Sequence, residues 1–142
     1  PPDVTFAIED APARADAEAL AWGLEAFNDT AWPGHQPWST LGVFLRRDGK
    51  VTSGLAGELY AGWLFIRFFY LEEALRRQGI GRAIIAAAEA RAAARGCHSA
   101  WVDTFSFQAP DFYRKQGYEE FGRLDYPPRG ERIFLKKPLT PG

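Results

Sequence analysis

The residues of this 142-residue chain best placed to do chemistry lie in Leu75-Arg76-Arg77-Gln78-Gly79-Ile80-Gly81-Arg82-Ala83. Glycines at 79 and 81 let the backbone approach a ligand closely. A helix starting near Ile80 would leave its first N–H groups without acceptors in the helix. Together with the helix dipole, those groups make an anion site. Arg76, Arg77 and Arg82 surround it, and planar guanidinium groups match phosphate oxygens. The chemistry expected here is that of gripping a phosphate or pyrophosphate.

Two familiar phosphate motifs do not fit. A dinucleotide fingerprint needs Gly or Ala at position 84, which is Ile84. A P-loop needs Gly-Lys followed by Ser or Thr, which is absent. That weakens a reading as a nucleotide-phosphate module.

Other elements must position this segment. Residues 4–8 alternate, with Val4, Phe6 and Ile8 on one side, and predict a short strand. Asp10 predicts a helix cap before Pro12, and Leu20, Leu24 and Phe27 carry that helix to about residue 28. Residues 32–38, with two prolines and a glycine, form a loop. Residues 41–46 and 51–60 predict a hairpin about Asp48-Gly49, whose Asp-Gly pair tolerates positive φ. Residues 63–71 are apolar on both faces and predict a buried central strand. An alanine-rich helix over 80–95 ends at Gly96, and residues 100–105 form a strand. A short helix over 110–116 opens on proline and closes at Gly117. Residues 118–124 and 131–135 complete a final pair. The expected architecture is a single mixed α/β domain over 1–142, with a mostly antiparallel mixed sheet of about seven strands.

Composition agrees with a globular domain: 46% hydrophobic, 15% aromatic and 25% charged. The formal charge of −1 argues against a dedicated nucleic-acid partner. Residues 59–71 are too short an apolar stretch to span a membrane and include Arg67. The first residues lack a basic region followed by an apolar one, so no signal peptide is expected and a cytoplasmic location is the default. Cys97, the single cysteine, excludes an intrachain disulfide and reads as a small buried hydrophobe. His35 and His98 lack metal-ligand spacing, and no metal site is expected.

Arg76-x-x-Gly79-x-Gly81 opening a helix resembles the acyl-CoA-binding signature of the GNAT superfamily of N-acetyltransferases. Thirty residues on, Ala109-x-x-Phe112-Tyr113-x-Lys115-x-Gly117-Tyr118 resembles the same family's second signature. The element order also matches from about residue 4 to residue 139. The resemblance implies a sheet that splays between the strand ending Phe69-Tyr70-Leu71 and the strand over 100–105. The pantetheine arm of acetyl-CoA, the implied co-substrate, would enter that wedge as an added strand does. Its pyrophosphate would lie on the amides of Gln78, Gly79, Ile80, Gly81 and Arg82. A backbone N–H near Phe69 or Tyr70 would polarise the thioester carbonyl. Tyr113 would protonate the departing thiolate. Arg77 stands at a position often glycine in relatives. Ser106 stands where relatives often carry a cofactor-contacting asparagine, and Ser106 or Gln108 is expected to substitute.

The base that deprotonates the acceptor is left open among Glu58, Asp103, Glu72 and Glu73, with Glu58 and Asp103 ranked first. The function implied is transfer of an acetyl group from acetyl-CoA to a primary amine, by direct attack in a ternary complex. The alternative is a non-catalytic acyl-CoA-binding sensor. The acceptor, a small-molecule or peptide amine, would meet an aromatic rim of Trp22, Phe27, Trp32, Trp38, Tyr60, Trp63 and Tyr126 with Arg129, whose rings attract cations. Relatives often pair through sheet edges or terminal segments, which implies a homodimer.

Overall fold

A computed structural model describes residues 3–139. The described backbone divides into two compact units, one ending at residue 35 and the other beginning at residue 36. The first unit holds one helix, α1 (Arg14–Ala31). The strand expected at residues 4–8 does not form. Alternation alone cannot make a strand, because its N–H and C=O groups need a ladder partner, and among the described residues of this unit there is no strand. The cap expected at Asp10 is also displaced. Pro12 biases the residue before it towards extended backbone, and the helix begins after Ala13, which makes no side-chain cap.

The second unit is built on six strands: β1 (Ser39–Arg47), β2 (Lys50–Tyr60), β3 (Trp63–Tyr70), β4 (Ser99–Phe105), β5 (Glu119–Tyr126) and β6 (Gly130–Pro138). Their order across the sheet is β1-β2-β3-β4-β6-β5. Only β3 and β4 run parallel. The mixed sheet therefore has six strands rather than about seven, the missing one being residues 4–8.

Helix α2 (Ile80–Ala94) crosses between β3 and β4. Ile84, Ile85, Ala88 and Ala92 lie on one of its faces, and all are buried. They join Leu55, Leu59, Leu64, Ile66, Val102, Ile133 and Leu135 in one core. Each of the larger fully buried side chains contributes roughly 1.5–3 kcal/mol. α2 stops in a Schellman turn: Gly96 sits at φ +100°, with Gly96 N–H donating to the Ala93 carbonyl and Cys97 N–H to that of Ala92. α3 (Pro110–Lys115) ends the same way at Gly117, φ +95°, where Tyr118 N–H donates to the Tyr113 carbonyl. Among the described residues no helix is long and apolar enough to cross a membrane.

One face of β3 is open, contrary to the expectation of burial on both sides. Leu64 and Ile66 are buried, but Phe68 and Tyr70 are 66% and 61% exposed. The cause is a bulge. Gly57 faces Ile66 and Ala56 faces Phe68, so Arg67 is an extra residue. The bulge reverses the alternation beyond it and turns Phe69 towards the core in place of Phe68.

Candidate active site

β3 and β4 pair only from Trp63 with Ser99 to Ile66 with Val102. Beyond that point β3 stays paired to β2 through Tyr70, and β4 to β6 through Phe105, but not to each other. The sheet thus opens a wedge where the Arg67 bulge begins. Phe69 reaches under it: its ring stacks 5.5 Å from that of Phe112 and lies 6.3 Å from that of Tyr113.

Above the wedge, a 3-10 turn at Glu73–Leu75 leads into the head of α2. Arg77 and Gly79 both adopt left-handed backbone, φ +63° and +80°. Among the described residues, none of the amides over 77–82 donates to an acceptor in the chain; the first helical bond is from Ala83 to the Gly79 carbonyl. These donors stand at the positive end of a helix among the exposed side chains of Arg76, Arg77, Gln78 and Arg82. A pyrophosphate fits this donor set. The two glycines serve it differently. Gly79 is required by its φ, since a hypothetical Cβ would meet only the Arg82 guanidinium, in ordinary contact at 3.9 Å. Gly81 is buried, and a Cβ there would lie 3.2 Å from Phe112 and 3.3 Å from Leu71. Its missing side chain makes room for α3 rather than for a ligand. Arg76 is aimed by its Nε, which donates to the Leu71 carbonyl at 2.9 Å, and it lies over the Tyr70 ring.

Tyr113 is 6% exposed and edge-on to Phe69, Phe112 and Tyr118. Burial first, and the Asp103 carboxylate second, push its hydroxyl up to about 12. Among the described residues that hydroxyl has no hydrogen-bond partner. A proton held this firmly at neutral pH is available to donate. Tyr118 is fixed from behind by a 2.7 Å bond to Glu89, which also pairs with Lys137 at 2.8 Å.

The two carboxylates ranked first, Glu58 and Asp103, are on the open face of the sheet, each against an arginine. Arg132 grips Asp103 with two bonds, 3.0 Å to Oδ1 and 2.9 Å to Oδ2. Arg67 Nε donates to Glu58 Oε2. That bond, with a further one from the Trp38 indole, holds Glu58 below the usual carboxylate range. Glu72 is drawn away, its amide on Ser53 and its carboxylate on Arg47. Ser106 is committed to β6: its hydroxyl accepts from Glu131 N–H at 3.0 Å, and its own N–H donates to the Glu131 carbonyl. Gln108 folds back on β4, accepting from Phe105 N–H and the Thr104 hydroxyl.

Of the aromatic rim, Trp38 reaches Glu58, and the Tyr126 hydroxyl accepts from Arg132 at 3.3 Å. Arg129 covers Phe107 instead of a free ring. The residues that sequence reasoning missed are Arg67 and Arg132. Nothing in a single sequence links them to carboxylates on neighbouring strands. The one available signal was an arginine inside an otherwise apolar strand.

The profile of the acetyltransferase (GNAT) family matches residues 5–118. An acetyltransferase of Agrobacterium fabrum is 34% identical over 137 residues, covering 94% of this chain and 98% of that protein. Blasticidin-S acetyltransferase of Streptomyces morookaense is 39% identical over 93 residues, 64% of this chain and 68% of that protein. A crystal structure of an Agrobacterium tumefaciens protein assigned as an acetyltransferase superposes with a TM-score of 0.86 at 31% identity, covering 95% and 99% of the two chains.

Proposed function

The chain belongs to the acetyltransferase (GNAT) family, and we propose that it moves an acetyl group from acetyl-CoA to a primary amine by direct attack in a ternary complex. The observation that carries this reading is the conjunction of a wedge between β3 and β4 with a row of unsatisfied amides above it. The amides over 77–82, with Arg76, Arg77 and Arg82, hold the diphosphate. Edge groups of β3 around Phe69, Tyr70 and Leu71 hold the pantetheine arm. A β3 N–H in the wedge stabilises the oxyanion that forms when the amine adds to the thioester carbonyl. Tyr113 then gives its proton to the sulfur as the C–S bond breaks.

The attacking amine must lose a proton. Glu58 and Asp103 lie on the open face of the sheet, each paired with an arginine, and Glu58 is held ionised by Arg67. A carboxylate so held is a weak direct base. We assign the proton to Glu58 through water, because Arg132 engages both oxygens of Asp103 whereas the Arg67 bond falls on one oxygen of Glu58. Asp103 keeps the Tyr113 proton in place. The aromatic rings beside Glu58 suit an amine with a flat or apolar body, and a relative named for blasticidin S supports a small-molecule acceptor. The proposal includes a cytoplasmic place of action and a homodimer, the latter read by light scattering.

The test is release of free thiol from acetyl-CoA across a panel of small amines and peptides. Turnover that depends on both amine and Tyr113 supports transfer. Tight binding of acetyl-CoA without thiol release from any amine would favour the sensor reading.

A further inference from the structure

We propose that Glu25, Asp29 and His35 form a binding site for a divalent transition-metal cation of zinc-like chemistry at the C-terminal end of α1. The three residues offer one ligand atom each, all within 4.8 Å of one another. Glu25 and Asp29 are four apart and share a helix face. After Trp32 the chain turns back through Gly34, at φ +81°, which returns the His35 ring to the last turns of the helix.

The ring's hydrogen bonds define what it can do. His35 Nδ1 lies 2.9 Å from the Trp32 carbonyl oxygen, which can only accept, so Nδ1 carries a proton. Nε2 then points at the Glu25 carboxylate at 2.9 Å and at Asp29 at 3.7 Å. A neutral ring would turn its lone pair against two anions, so something positive must sit between them. A proton on Nε2 meets that need, and so does a metal ion. Ligands on a tetrahedral ion with bonds of about 2.0–2.1 Å stand roughly 3.3 Å apart, and the two observed separations bracket that value.

The surroundings favour an ion. The imidazole side chain is 2% exposed, whereas those of Glu25 and Asp29 are 31% and 65% exposed. The ring is therefore the fixed ligand, oriented by a carbonyl behind it as metal-bound histidines are. The carboxylates can adjust by tenths of an ångström, and the solvent side leaves room for water. Two carboxylates balance a divalent charge, and the carbonyl end of a helix favours cations. One nitrogen and two oxygens select zinc and its transition-metal neighbours over magnesium or calcium. Such an ion would pin the loop over 32–35 to α1. All the ligands are in residues 1–35, so this inference is independent of the proposed acetyl transfer.

The test is calorimetric titration of Zn²⁺ into the tag-free, chelator-treated full chain, with Glu25→Gln, Asp29→Asn and His35→Gln beside it. The expected result is one site per chain, weakened by more than about tenfold in each variant, with a raised melting temperature only where binding occurs. Asp29 is largely exposed, so Asp29→Asn tests the idea even if His35→Gln fails to fold. Absence of saturable binding, or binding unchanged in Asp29→Asn and Glu25→Gln, overturns the proposal and leaves a proton as the cation on Nε2.

Discussion

The Phe112 ring lies against the main chain of Gly81, where an added Cβ would stand 3.2 Å from its Cζ atom. This contact fixes the distance between α2 and α3, and with it the position of the neighbouring Tyr113. Gly81→Ala is expected to lower stability by about 1–3 kcal/mol through overpacking and to reduce kcat by displacing Tyr113. Gly79→Ala makes no clash but strains the backbone, costing about 1–2 kcal/mol, and is expected to raise the Kd for coenzyme A. Urea denaturation and coenzyme A titration of both variants check the contrast.

Arg77 holds left-handed backbone without being glycine. Arg77→Gly is expected to leave stability unchanged or raise it by up to about 1 kcal/mol, since the relieved strain slightly exceeds the added chain entropy. The same change removes a charge from the proposed diphosphate site. Coenzyme A affinity should therefore fall and become less sensitive to salt, as titrations at two ionic strengths would show.

Tyr113→Phe is expected to lower kcat by about 10² or more while leaving the KM for acetyl-CoA nearly unchanged. Because the hydroxyl of Tyr113 is pushed up to about 12, its loss of a proton should cause no fall in activity below about pH 11. An alkaline limb well below pH 11 that disappears in Tyr113→Phe would refute the raised hydroxyl pKa, and an unchanged kcat in Tyr113→Phe would refute the acid role.

Glu58→Gln is expected to reduce kcat more than Asp103→Asn does, under saturating amine. The Arg67 bond, followed by the Trp38 indole, keeps Glu58 ionised below its ordinary range. Its contribution should persist as pH falls through 4.5 and be lost only below that. Arg67→Gln should move that loss to higher pH, which a pH–rate profile would read directly.

His35 gives the opposite sign. The bond to Glu25, with the Trp32 carbonyl next, raises its pKa above 6.5. In metal-free buffer, the stability it supplies should be complete below pH 6.5 and fade as pH rises through the folded value. Melting temperatures of the parent chain and Glu25→Gln, compared between about pH 5 and 9, should converge towards the alkaline end.

What the sequence alone determined is local. The segment proposed to hold the diphosphate was legible because a glycine turn and the free amides of a helix start are properties of consecutive residues. Gly96 and Gly117 likewise announced helix ends, since their positive φ is a single-residue requirement. Hydrophobic periodicity placed α2 and the strands after residue 38 to within a few residues. What only the tertiary structure decided depends on partners far apart in the chain. Residues 4–8 alternate as a strand does, yet form none, because alternation does not supply the ladder partner a strand needs. The Arg67 bulge arises from the register between β2 and β3, so nothing in the apolar run of β3 could say that Phe69, and not Phe68, reaches Tyr113. Glu58 and Asp103 looked like free bases until the sheet set Arg67 and Arg132 beside them. An ion pair across strands is a fact of geometry, and a carboxylate's chemistry follows from what stands a few ångströms away.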